Sequence, residues 1–288
     1  MISNIVCQAP AKINLGLSIL GKLANGYHEV RTIYCQVSLF DVLKIKKIKE
    51  RKIKIHCNNK ETPCDKRNLA YQAISLVRKK MKVKKGIKVS IKKTIPLGSG
   101  LGGGSSDAAA VFKALNKLWQ LNLSLSQLIE LAQNIGSDVA YQLVGGVQLE
   151  TQGGKKAGKL ISLGKLPDCW FLISFPEIFI GSRQAYSQVQ YNKIGKNNLL
   201  LLKKAIKDKD LDEISENLDN DFEIWTFRKY PVIKKIKQLM IKYGALNSLM
   251  TGKGSAVFGL FNNKKTAKKA WELIKNDYPK TFLTKPCY

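Results

Sequence analysis

The chain has 288 residues, with 49 Lys and Arg against 21 Asp and Glu and a formal net charge of +28. Its 44% hydrophobic content is too high for disorder, and at about 150 residues per domain the length suggests two domains. No apolar run reaches the roughly 18 residues that span a bilayer, and six scattered cysteines without a C-x-x-C pair argue against a zinc ribbon or disulfide scaffold and for a reducing cytoplasm.

Residues 5–8 and 12–20 read as strands, the second alternating Ile13, Leu15, Leu17 and Ile19. Strands 33–39 and 42–48 flank Phe40-Asp41, and 53–56 is another. A helix over 68–81 puts Leu69, Ala73, Leu76 and Val77 on one face. Strand 87–91 leads into a glycine-rich loop and then a helix to 119 with the apolar stripe Ala108, Val111, Phe112, Leu115, Leu118 and Trp119. Helices over 124–134 and 136–143 and a strand over 147–151 follow. The lysine- and glycine-rich stretch 153–158 is a surface turn and a plausible boundary, dividing the chain into 1–155 and 156–288. Beyond it, strands 170–175, 246–250 and 256–261 alternate with helices 184–189, 198–207, 230–242 and 264–276, an α+β pattern.

The loop Pro96-Leu97-Gly98-Ser99-Gly100-Leu101-Gly102-Gly103-Gly104-Ser105-Ser106 carries the most chemical information. A glycine loop between a strand and a helix lets backbone N–H groups approach an anion, and the unpaired N–H groups of the first helical turn point at it. Ser105-Ser106-Asp107 offers N-cap chemistry, and Gly103 is expected to need a positive φ. No Gly-Lys-Ser/Thr follows, so the loop is no Walker motif, and neither His28 nor His56 precedes the Arg-Asp of a protein-kinase catalytic loop. The acidic ribose ligand of a dinucleotide fold is missing about 20 residues on, where Gln127 stands in a helix start.

The loop resembles the second motif of the GHMP small-molecule kinases, Pro-x-x-x-Gly-Leu-Gly-(Gly)-Ser-Ser. Ala9-Pro10-Ala11-Lys12-Ile13-Asn14-Leu15-Gly16-Leu17 resembles their first motif, and Leu249-Met250-Thr251-Gly252-Lys253-Gly254-Ser255-Ala256-Val257-Phe258-Gly259 their third. Gly26-Tyr27-His28-Glu29, the triple glycine and Gly136-Ser137-Asp138-Val139 narrow the resemblance to members whose acceptor is an alcohol bearing a cytidyl diphosphate. Arg67-Asn68-Leu69 and Asn220-Asp221-Phe222-Glu223 also resemble stretches of those members. The resemblance implies an α+β, two-domain GHMP kinase fold: a ribosomal-protein-S5-domain-2-like first half, a ferredoxin-like second half and an active site between them. It implies ATP and Mg²⁺, with residues 96–106 holding the nucleotide and Ser105 or Ser106 reaching the ion.

On its own Asp138 reads as an acid in the first turn of a helix, and Lys12 as a strand-edge charge. In the motif context they resemble the family's catalytic base and its partner lysine, with Asn14 on the same strand face as Lys12. Tyr27 and His28 are expected to read the cytosine. Tyr186 stands evenly between a helix-packing tyrosine and a second aromatic of that site. His28 lacks metal-ligand neighbours in the sequence, so no protein metal site is expected. Lys253 replaces a small residue usual in the third motif, and 153–158 lacks a usual glutamate. The lysines spread over 44–54, 79–85, 203–209, 234–242 and 264–275, the distribution of solvated faces. Lysine also far outnumbers arginine, whereas base readout favours arginine. A small-molecule substrate is expected, rather than nucleic acid or membrane, for a cytoplasmic monomer or homodimer. A basic RNA-binding protein on an S5-like fold is the rival from another class.

Overall fold

The computed structural model describes residues 3–23, 28–153, 158–191, 194 and 199–288. The expected strands 5–8 and 12–20 are one strand, β1 (Asn4–Lys22), and those around Phe40-Asp41 are one strand, β2 (His28–Ile48). Pro10 does not break β1, because its fixed φ suits extended backbone. Then come β3 (Ile53–Cys57), α1 (Leu69–Lys80), β4 (Gly86–Lys92), α2 (Gly103–Trp119), α3 (Leu125–Gln133), α4 (Ser137–Val144) and β5 (Val147–Gly153). The remainder is β6 (Lys159–Ser162), β7 (Trp170–Ser174), α5 (Ser182–Ser187), α6 (Leu199–Asp208), α7 (Leu211–Glu216), β8 (Asp219–Asn220), α8 (Glu223–Lys229), α9 (Pro231–Lys242), β9 (Asn247–Met250), β10 (Val257–Phe261), α10 (Lys264–Asp277) and β11 (Thr281–Thr284). No helix among the described residues is long and apolar enough to cross a membrane.

Two compact units divide the chain. The first comprises Met1–Ala11, Leu39–Leu97 and Gly102–Val144. In it the C-terminal half of β2 runs antiparallel to β4, from Val42 opposite Lys92 to Ile48 opposite Gly86. β3 lies parallel to β4, with Ile53 opposite Ile87. Helix α2 packs on α1 and α4, burying Val111, Phe112, Leu115 and Leu118. Local caps set the helix starts. The Asn68 side chain accepts from Ala70 N, and Ser124 and Gln127 close a capping box on α3.

The second unit comprises Lys12–Ser38, Gly98–Leu101 and Gly145–Tyr288. Here β1 lies between β2 and β8, pairing parallel with β8 at Gly16 opposite Asp219. The N-terminal half of β2 pairs antiparallel with β5, and β5 with β6. A second sheet is antiparallel throughout, in the order β11-β7-β10-β9. Ile233, Ile236 and Met240 of α9 and Ala267, Ala270 and Ile274 of α10 share a core with Leu172, Val257 and Phe261 of that sheet. The apolar spacing on both helices, three and four residues apart, is what makes them amphipathic.

The first unit also buries charge. Lys93 donates to Asp41 and, at 2.8 Å, to Asp107 on α2; all three side chains are buried. The other Asp41 oxygen accepts from Thr94 N and Ile95 N at 2.6 and 2.9 Å. That is why Asp41 sits inside β2 without ending it. Burial pushes the Asp107 carboxyl up to about 7, against the Lys93 charge that favours ionisation, with Asp41 adding to the rise. Burial opposes the Lys93 ammonium, but Asp107 and Asp41 outweigh it and hold its pKa above the usual value. A raised Asp107 binds a proton in the folded chain that the unfolded chain releases. Its contribution to stability is therefore complete below about pH 4 and is lost as pH rises toward about 7. Asp107→Asn removes that titration. Urea unfolding of the two proteins at pH 5, 6 and 7 is expected to show the parent losing stability relative to the variant, by up to about 1.4 kcal/mol per pH unit. Parallel pH profiles would exclude the assignment.

Candidate active site

Lys12 is buried, with 4% of its surface exposed, in the middle of an apolar strand. Its ammonium donates to Asn14 Oδ1 at 2.7 Å and lies 5.5 Å from the centroid of the Tyr34 ring. The Tyr34 hydroxyl in turn donates to buried Glu150 at 2.8 Å. Residues i and i+2 of a strand share a face, so β1 alone places the Lys12–Asn14 pair. The rest of the Asn14 side chain is satisfied from afar. Its Nδ2 donates to Thr32 Oγ1 at 2.8 Å, and its Oδ1 also accepts from Thr251 Oγ1 at 3.2 Å. The Thr251 hydroxyl accepts from Asn14 N, and the Thr32 hydroxyl donates to Gly16 O. Each of these polar groups has at least one partner, which is what a buried polar network requires.

The two glycine turns close on this network. Lys12 N donates to Leu101 O at 2.9 Å, and Ala256 N to Ser99 O at 3.0 Å. Gly100 has φ +86°, and a Cβ there would overlap the Thr251 carbonyl. Gly252 has φ +57°, and a Cβ there would come within 3.4 Å of Lys12 Nζ and 3.3 Å of Asn14 Oδ1. Only glycine gives this backbone conformation without strain and leaves that approach open. Asn220 anchors the second turn, its Nδ2 donating to Met250 O at 2.6 Å and Gly252 O at 2.8 Å. Glu223 accepts from Met250 N at 2.8 Å and from Lys237 Nζ at 2.6 Å. Parts of three sequence motifs thus meet within one unit, and Asn220-Asp221-Phe222-Glu223 holds one of them in place.

His28 and Tyr186 also meet. Their rings stack at 4.4 Å between centroids and 20° between planes, and Tyr186 and Phe222 form a T-shaped pair at 5.1 Å. Tyr186 therefore both packs its helix and presents a face to His28. Burial and the Lys22 charge lower the His28 pKa, favouring the neutral ring. Tyr27 lies outside the described residues.

In the first unit, Pro96 and Leu97 lead from β4, and Gly102 at φ +69° is the residue before α2. The positive φ expected at Gly103 falls on Gly98, Gly100 and Gly102 instead. Gly103 is glycine for a different reason: a Cβ would stand 2.9 Å from Ile95 and 3.1 Å from Lys93 Nζ. Ser105-Ser106-Asp107 does not cap the helix. The helix starts two residues earlier, its first bond runs from Ser106 N to Gly102 O, and Asp107 turns to Lys93. The N–H groups of Gly103, Gly104 and Ser105 thus precede the first intrahelical bond, the arrangement that binds anions. Ser106 Oγ is buried and has no partner, an unsatisfied hydroxyl that a bound group can use. Asp138 lies half-buried in the first turn of α4. Among the described residues no group of His, Cys, Asp and Glu could hold a metal ion by itself.

Thr32, Tyr34 and Glu150 were not singled out by sequence reasoning, and Thr251 and Asn220 only as parts of resembling stretches. The usable signal was a lysine in an apolar strand, which needs buried partners.

The model for the GHMP kinases N terminal domain matches residues 68–146, and that for the GHMP kinases C terminal matches 202–280. A 4-diphosphocytidyl-2-C-methyl-D-erythritol kinase of Caldicellulosiruptor saccharolyticus is 43% identical over 284 residues, 98% of this chain and 97% of its own length. The protein of the same name from Bacillus cereus is 38% identical over 271 residues, 94% of this chain and 93% of its own length. A crystal structure of 4-(cytidine 5'-diphospho)-2C-methyl-D-erythritol kinase superposes with TM-score 0.83 at 29% identity, over 99% of this chain and 100% of that one. Homoserine kinase from Cytophaga hutchinsonii shares the fold at TM-score 0.78 and 18% identity, over 100% of this chain and 95% of its own.

Asn220→Ala leaves two buried carbonyls without their donor and is expected to destabilise the chain by about 1–3 kcal/mol. Asn220→Asp sets a carboxylate against the same carbonyls and is expected to cost more. Urea midpoints of the three proteins test that order, and an aspartate variant as stable as the parent would rule out the anchoring role.

Proposed function

This chain belongs to the GHMP kinase family, and we propose from that premise that it transfers the γ-phosphoryl group of ATP to the 2-hydroxyl of 4-diphosphocytidyl-2-C-methyl-D-erythritol, a step in isoprenoid precursor biosynthesis. The observation that carries the reading is the meeting of Lys12 and Asn14 with both glycine turns in the unit that also stacks His28 on Tyr186.

Phosphoryl transfer is chiefly a matter of positioning and charge neutralisation. The N–H groups of Gly103, Gly104 and Ser105 hold the nucleotide phosphates, aided by the α2 dipole. Residues 96–102 shape the loop around them. Mg²⁺, when bound, neutralises phosphate charge; Ser106, with its unsatisfied hydroxyl, and half-buried Ser105 are the residues that would hold it. Asp138 takes the proton from the acceptor hydroxyl as its oxygen bonds to phosphorus and the bond to the ADP oxygen breaks. Lys12, held by Asn14, supplies positive charge at the reacting hydroxyl. His28 and Tyr186, with Tyr27, receive the cytosine. In this conformation the two rings touch at 4.4 Å. A base between them needs centroids about 7 Å apart, so the pair opens to sandwich it or offers an outer face.

Homoserine kinase shares the fold but its substrate carries no base, and the aromatic pair favours the cytidyl acceptor. Asp138→Asn is expected to lower turnover about 10²–10⁴-fold, with ATP binding kept. His28→Ala is expected to raise KM for the cytidyl acceptor and leave KM for ATP near the parent value. An ADP-release assay with the acceptor, and with the same alcohol lacking the cytidyl group, measures both. Equal turnover of the two alcohols, or a fully active Asp138→Asn, would remove the corresponding assignment.

A further inference from the structure

We propose that Lys253 recognises the diphosphate of the acceptor substrate, a specificity contact specific to this chain's own third glycine motif; the proposal rests on the cytidyl-acceptor reading above. The motif usually carries a small residue at this position, so the long cation needs an explanation of its own. Lys253 does not simply extend into solvent. Its ammonium donates to Ser182 Oγ at 2.8 Å and lies 5.7 Å from the centroid of the Phe179 ring. Phe179 is 70% exposed, although its ring covers Gly98 so closely that a Cβ there would collide with it. A hydroxyl and an aromatic face thus hold the ammonium in one place at the surface of the second unit.

That place is linked through its neighbours to the residues assigned to both ends of the acceptor. Gly252, the residue before Lys253, borders Lys12 Nζ and Asn14 Oδ1, where the reacting hydroxyl belongs. Ser182 is the first residue of α5, and Tyr186, four residues on, is the ring that stacks on His28. Residues four apart on a helix lie on one face, about 6 Å from each other. Lys253 thus bonds the first residue of the helix that carries Tyr186, and its backbone follows the residue that borders Lys12 and Asn14. The acceptor has the same linear order: base, diphosphate, alcohol. A lysine ammonium in the middle meets two phosphates and can donate charge-assisted hydrogen bonds to them. The stretch from Gly252 to Ser182 then reads the whole acceptor, one chemical part at a time.

The test uses the full chain as parent, Lys253→Met and Lys253→Arg, with both substrates varied. Inhibition by CDP and by cytidine is measured in each protein. Lys253→Met is expected to raise KM for the cytidyl acceptor about 10–100-fold, as loss of a charge-assisted contact does. KM for ATP is expected to stay within about twofold. The inhibition constant of CDP rises with that of the acceptor, while that of cytidine, which has no phosphate, does not. Lys253→Arg recovers most of the loss. A merely structural lysine would shift CDP and cytidine together, which would overturn the proposal. A rise in KM for ATP in place of the acceptor would also overturn it, by moving Lys253 to the nucleotide. A Met variant indistinguishable from an active parent overturns the diphosphate contact alone. A parent that does not turn over the cytidyl acceptor overturns the premise and the proposal together.

Discussion

Burying the Lys12 ammonium is the constraint on which the rest of the second unit depends. A lysine at 4% exposure is tolerable only if its surroundings stabilise charge. Asn14 Oδ1 supplies one partner and the Tyr34 ring another. Each of these has requirements in turn. Asn14 needs Thr32 and Thr251, Tyr34 needs Glu150, and Thr251 must sit on a turn that approaches Gly100. The turn then needs Asn220 to occupy its carbonyls. The side chains far from any substrate are thus consequences of one charge placed inside a strand.

The first unit reaches a similar result by another route. There the buried ammonium is Lys93, and its partners are carboxylates. Asp41 joins β2 to the segment after β4, and Asp107 joins the same lysine to α2. The triad sits beneath the first turn of α2, where a Cβ on Gly103 would stand 3.1 Å from Lys93 Nζ. The first turn of α2 therefore rests on an ionic floor, whereas the Lys12 ammonium of the second unit donates to an amide oxygen.

Periodicity made most of the long elements legible. The helices over α1, α2, α3, α9 and α10 follow from apolar spacing and from caps such as Asn68 and Ser124. Short elements escaped: β8 has two residues and α7 six, too few for a period to show. Two errors share one physical cause. Asp41 read as a break between strands, and Ser105–Asp107 as a helix cap, because acidic and hydroxyl residues usually satisfy themselves locally. In both places a lysine distant in sequence took the carboxylate instead. The same limit applies to the site. Lys12 stood out as an anomaly, but Thr251 is 237 residues from Asn14, and no local pattern joins them.

That separation has a consequence for synthesis. Proteins are made N-terminus first, at about 5–20 residues per second. Asn14 emerges early, and its Thr251 partner emerges 237 residues later. For that interval of some tens of seconds, Lys12 and Asn14 have no completed interior to occupy. Strand β1 can pair with β2 once both have emerged, but the polar network around Asn14 stays incomplete until the turn after β9 follows. Contacts this far apart in sequence are slow to close and leave unpaired strand exposed to other chains. A truncated product that ends before β9 would lack the Thr251 turn that completes the network around Asn14, and would be a substrate for chaperones and proteases.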